Sequence, residues 1–114
     1  MREHFVKGME GHSAVSNITL VDGDIYKIER TSNRPDLIVL IADIYIAGEA
    51  DILDICSKYS TLDCIVLVGF YNRYSSAAKE LAKSYGKGLY DNREFFGAVN
   101  CKGRAFLNYV RKDK

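Results

Sequence analysis

The window Leu37-Ile38-Val39-Leu40-Ile41-Ala42-Asp43-Ile44 is apolar at every position except Asp43. A strand of this composition has no solvent face, so it predicts a sheet strand covered on both sides. Asp43 is then carried to the end of a buried strand, where an unpaired carboxylate is costly. Three roles suit such an acid: a metal ligand, a phospho-acceptor, or a side chain that reaches solvent at the strand's edge.

A chain of 114 residues with 47% apolar composition is enough for one domain with a real core. Its formal charge of +1 supplies no global basic field, so any surface for a polyanion must be local. Cys56, Cys64 and Cys101 are odd in number and widely spaced, which fits neither a disulfide framework nor paired zinc ligands. They are expected to be buried or half-buried free thiols. The first 15 residues carry Arg2, Glu3, His4, Lys7, Glu10 and His12, unlike a signal peptide. No apolar run reaches membrane-spanning length. A cytoplasmic protein without a membrane partner is the expectation.

Residues 1 to 10 fit a short helix presenting Phe5, Val6 and Met9. Ala14 to Val21 is β-rich and ends at the Asp22-Gly23 turn signal. A second strand, Asp24 to Arg30, follows, and the loop Thr31 to Asp36 leads into the apolar strand. The period then changes. Glu49 to Tyr59 places Ile52, Leu53, Ile55 and Cys56 on one helical face. Cys64 to Gly69 is a second all-apolar strand. Ser75 to Tyr85 is a serine-capped helix with the small stripe Ala77, Ala78, Leu81, Ala82, and Leu89-Tyr90 is a short strand. Asp91 to Glu94 reads as a capping box opening a last helix with Phe95, Phe96 and Val99. A β-meander followed by helix and strand crossovers predicts an α/β fold: a mixed sheet with helices on both faces.

If the second and third strands pair about the centre of the 31 to 36 loop, the numbers of cross-strand partners sum to about 67. Asp24 then faces Asp43, Tyr26 faces Ile41, Ile28 faces Val39, and Tyr45 shares the face of Asp43. Two opposed carboxylates repel unless a cation or a proton lies between them, so a weak Mg²⁺ site at Asp24 and Asp43 is the reading under this register. If the register slips by one, or if Asp24 is simply a turn residue after Asp22-Gly23, no such site forms. Asp36 is excluded as a third ligand, because seven residues of strand separate it from Asp43 by about 23 Å.

The acid on one strand, the second acid on the next, the helix, the apolar strand and the run Gly69-Phe70-Tyr71-Asn72-Arg73-Tyr74-Ser75-Ser76-Ala77-Ala78-Lys79-Glu80-Leu81-Ala82 before Gly88-Leu89-Tyr90-Asp91 resemble the restriction-endonuclease-like superfamily, particularly its Mrr-type branch. The resemblance covers roughly residues 14 to 99. It implies a divalent-metal nuclease site at Asp24, Asp43 and position 45, where the family carries a lysine. This chain has Tyr45 there, and tyrosine supplies no cation for a developing phosphate charge. The resemblance therefore implies a minimal or degenerate nuclease-like domain in nucleic-acid metabolism that binds nucleic acid with little or no metal-dependent cleavage.

A rival likeness is local. Pro35 to Gly48 is similar to the phospho-acceptor strand of response-regulator receiver domains, with Asp43 as acceptor, which implies a flavodoxin-like receiver fold and a signalling or protein-interaction role. Gly69 and Asn92 stand where a receiver has its hydroxyl and its lysine.

The loop Gly69 to Tyr74 follows a buried strand and opens a helix, the usual ligand position in α/β sheets. Tyr71, Asn72 and Arg73 there suit nucleotides or phosphates, or else the tyrosines cap the core. The tail offers Arg104, Arg111 and Lys112 among aromatics, as a solvated end, a phosphate-contacting arm or a subunit contact in a homodimer.

Overall fold

Side chains that alternate along apolar strands must bury on two sides, and here they sort into two separate cores. The computed structural model describes residues 2–111. Its elements are α1 (Arg2–Glu10), β1 (Val15–Asp22), β2 (Ile25–Arg30), β3 (Leu37–Ala42), β4 (Ile46–Ala47), α2 (Glu49–Lys58), β5 (Cys64–Leu67), β6 (Arg73–Tyr74), α3 (Ser76–Ser84), β7 (Gly88–Asp91), α4 (Asn92–Ala98) and α5 (Arg104–Leu107). Among the described residues one mixed sheet runs β1-β2-β3-β5-β7, with β2 alone antiparallel to the rest. Tyr26, Ile28, Val39, Ile41, Val66 and Tyr90 point to the layer of α1, α4 and α5. Leu40, Ile65, Leu67 and Leu89 point to α2 and α3. The apolar window is covered on both sides, as its composition requires.

The receiver-like alternative is corrected by this topology, since a flavodoxin-like sheet is parallel and each of its strands needs a crossover. The β1-β2 and β2-β3 connections are too short for one. Gly23, at φ +54°, makes the first turn, and Ser32 and Asn33, at φ 60° and 62°, make the second.

That second turn also sets the register. Its centre lies at Ser32-Asn33, and the ladder pairs Ile25 with Leu40, Tyr26 with Val39 and Ile28 with Leu37. The expected pairs Asp24 with Asp43, Tyr26 with Ile41 and Ile28 with Val39 are thus displaced by two residues. A slip of two preserves which face each side chain occupies, so the cores form as anticipated.

Local signals hold where they were strongest. Asp91 and Glu94 form the reciprocal capping box of α4, and the Ser75 side chain accepts from Ala78 N to cap α3. In α2, Ile52 and Ile55 are buried while Leu53 is turned out to solvent. The cysteines are free, with Cys64 buried and Cys56 and Cys101 half-buried. Strand β1 is a long open edge, with register irregularities after Val15 and after Leu20. The tail that sequence left without an element forms α5. There Phe106 and Tyr109 pack edge-on against Tyr90, inside the domain. No helix among the described residues is long and apolar enough to cross a membrane.

Candidate functional site

Strands β3, β5 and β7 end at one edge of the sheet, and the chain leaves each through a loop. Strand β3 stops at Ala42, so the alternation that would align Tyr45 with Asp43 stops there too. Asp43 is exposed and accepts a hydrogen bond from Asn72 Nδ2 at 3.1 Å. Tyr45 is 64% exposed, and only its backbone is held, its carbonyl accepting from Arg73 N at 2.9 Å.

Asp24 lies in the turn before β2, where its carbonyl accepts from Ile41 N at 3.0 Å. It therefore stands opposite Ile41. Asp24 and Asp43 nonetheless line one cavity of about 290 Å³, together with Arg2, Ile41, Ala42 and Val68. The Asp24 carboxylate is ion-paired with Arg2, whose guanidinium also donates to Gly23 O at 3.4 Å. The first turn of α1 thus places a protein cation beside the acid, a contact spanning residues so far apart that no local pattern announces it.

Mg²⁺ is held by carboxylates that present free oxygens to it. Here one oxygen of each acid is engaged, Asp24 Oδ1 by the Arg2 guanidinium and Asp43 Oδ1 by the Asn72 amide, and among the described residues no group of three or more His, Cys, Asp or Glu side chains converges.

Beside the acids lies a second cavity of about 470 Å³, lined by Val68, Gly69, Phe70, Asn72, Asn92 and Arg93 among others. Asn72 builds its wall. Its Oδ1 accepts from Gly69 N at 2.9 Å and its own N–H donates to Gly69 O at 3.2 Å, closing a tight turn. A Cβ on Gly69 would sit 2.5 Å from Asn72 Nδ2, so this close approach requires glycine. The turn lifts Phe70 and Tyr71 into solvent, 80% and 76% exposed, so Tyr71 does not cap the core. Strands β4 and β6 pair in parallel, Ile46 with Arg73 and Ala47 with Tyr74, and join the two loops.

Comparison with protein-family models, with curated proteins and with solved structures finds no match to this chain. The reading of the site therefore rests on its own geometry.

Tyr71, Asn72 and Arg73 lie at this edge with Asp43 and Tyr45. Arg104 does not join them. It opens α5 next to Gly103, which lines a cavity with Leu37 and Asp63 at the opposite, amino ends of β3 and β5. Arg111 is exposed beyond α5, and Lys112 lies outside the described residues. Sequence reasoning passed over Arg2, His4, Phe70, Asn92 and Arg93 as site residues. Only Phe70 carried a usable signal, an aromatic one residue past the glycine that ends a buried strand.

A separate titratable cluster closes the outer edge of β7. Gly88 N donates inward to Asp63 O, so Leu89 O points outward, and there it accepts from Lys79 Nζ at 2.5 Å. The ammonium lies 3.7 Å from the Tyr90 ring centroid and 5.3 Å from that of Tyr74. Burial lowers the Lys79 pKa to about 8, against the raising effect of Glu94. Tyr74, whose hydroxyl donates to Glu94 at 2.7 Å, is pushed up by burial and by that hydrogen bond. Tyr90 is pushed up by burial. Lys79 thus neutralises an open strand edge, a structural duty.

Proposed function

We propose that the chain is a nucleic-acid-binding domain of restriction-endonuclease-like architecture that keeps the place of the nuclease site without its cleavage chemistry. The observation that carries this reading is the meeting of Asp24 and Asp43 on one cavity at the carboxyl edge, beside exposed Phe70, Tyr71 and Arg73. A meander that feeds three parallel strands, with β2 reversed, suits the same architecture. Tyr45 in place of a lysine, and Arg2 on the first acid, both argue against metal-assisted attack on a phosphodiester.

Fluorescence anisotropy with labelled oligonucleotides tests binding. The affinity is expected to fall linearly on a logarithmic salt scale, and the double variant Arg73→Ala, Arg93→Ala to flatten that slope. The same oligomers are expected to survive incubation with Mg²⁺. Absence of binding at low salt sinks the reading. Chelator-sensitive cleavage lost in Asp43→Ala sinks its noncatalytic half.

A protein-interaction role is the second reading, favoured by the open β1 edge with Leu20 and Val21 52% and 57% exposed.

A further inference from the structure

We infer that the Phe70-Asn92 cavity takes one unpaired nucleobase, so that the preferred ligand is single-stranded rather than duplex nucleic acid; this deepens the nucleic-acid reading above and rests on it. Three independent features converge there. Phe70 stands 80% exposed on a turn held by Asn72, a flat apolar face open to solvent. Asn92 Oδ1 is the buried side-chain polar atom that has no hydrogen-bond partner among the described residues, and Asn92 lines the same cavity. Exposed His4 and Arg93 also line it, with exposed Arg73 just past the turn, and the two arginines put positive charge on the approach to an otherwise near-neutral chain.

An orphaned carbonyl oxygen calls for a donor, which the exocyclic amine or ring N–H of a base supplies. Capture of a base would require a rotation about χ2 of Asn92 that brings this oxygen, buried in the free chain, to the cavity wall. A base inside a duplex has both faces stacked and its Watson–Crick edge paired, so it can offer neither a face to Phe70 nor a donor to Asn92. A free base offers both, while its phosphates lie toward the arginines. The acids do not oppose this. Asp43 is hydrogen-bonded by Asn72, and Asp91 accepts from Glu94 N at 2.8 Å as the cap of α4.

The test compares labelled DNA and RNA oligomers of about a dozen nucleotides, single-stranded and as blunt duplexes, against the full chain. Single strands are expected to bind about tenfold or more tightly than duplexes. Phe70→Leu, which keeps an apolar side chain and removes the ring face, is expected to cost about tenfold on single strands and nothing on duplexes. Asn92→Leu removes the orphaned acceptor at similar volume. It is expected to weaken single-strand binding several-fold while leaving the melting temperature unchanged or higher, whereas a merely structural asparagine would lower it. Duplexes bound as tightly as single strands, with Phe70→Leu neutral, overturn base capture and leave the nucleic-acid reading standing. No binding to either form overturns both.

Discussion

The two ends of the parallel strands are built on opposite rules. At the amino end polar groups are taken inside and matched. Arg30 is buried, and its guanidinium donates to Pro35 O at 2.8 Å, Val99 O at 3.0 Å and Cys101 O at 2.5 Å. Lys87 is buried and donates to Leu62 O at 2.9 Å, and Asp63 accepts from Ile38 N at 2.8 Å. At the carboxyl end the acids and aromatics are left in solvent, one amide oxygen has no partner, and the ion pair of Arg2 with Asp24 is half-exposed. One end holds the fold and the other is available to something outside it.

The sharpest way to break this contrast is Arg30→Leu. It strands three carbonyls at the closed end and is expected to lower unfolding free energy in urea by about 3 kcal/mol. Phe70→Leu at the open end is expected to change it by less than about 0.5 kcal/mol. Equal losses would show that the carboxyl edge is as structural as the other.

A smaller effect concerns the sealed β7 edge. The folded-state pKa of Lys79, about 8, lies below its ordinary value of 10.5. The unfolded chain therefore binds the proton more tightly, and the penalty for burying the charge is fully present below pH 8 and relieved as pH rises toward 10.5. The stability of the wild type relative to Lys79→Met is thus expected to climb between those values. Taking the difference removes the pH trends of groups that Lys79 does not touch. A flat difference, measured by denaturant titration across that range, would mean that the ammonium is solvated.

The smallest effect is at the acids. Arg2→Ala is expected to cost less than about 1 kcal/mol, as an exposed pair should. It also uncovers Asp24 on the cavity it shares with Asp43. Millimolar Mn²⁺ is then expected to leave wild-type melting unmoved and to raise that of Arg2→Ala by about 2 °C. A rise in the wild type would show that the acids bind a cation despite Arg2.

Much of this architecture is legible in the sequence because its signals are local. The all-apolar strands, the Asp22-Gly23 turn and the Asp91 to Glu94 box each act over a few residues, and each forms where its pattern lies. The register was not legible to the residue, because Ser32 and Asn33 adopt left-handed backbone that the sequence 31 to 36 does not single out. Strands β4 and β6, two residues each, are too short to leave a period. The site was half visible. Asp24 and Asp43 could be set on one face by alternation, whereas the guanidinium that meets Asp24 arrives from the far end of the chain, through the packing of Phe5 and Met9.

The small β4-β6 pairing has a consequence for the thermodynamics of recognition. By fastening Ile46 to Arg73 and Ala47 to Tyr74, it makes the loop after β3 and the loop after β5 a single body. The backbone entropy of both segments is lost once, on folding, and is not lost again when a ligand arrives. The saving is in the backbone, since the side chains of Tyr45, Phe70 and Tyr71 stand 64%, 80% and 76% exposed. Association at this edge is expected to carry a smaller loop-ordering cost than it would if the two loops were separate.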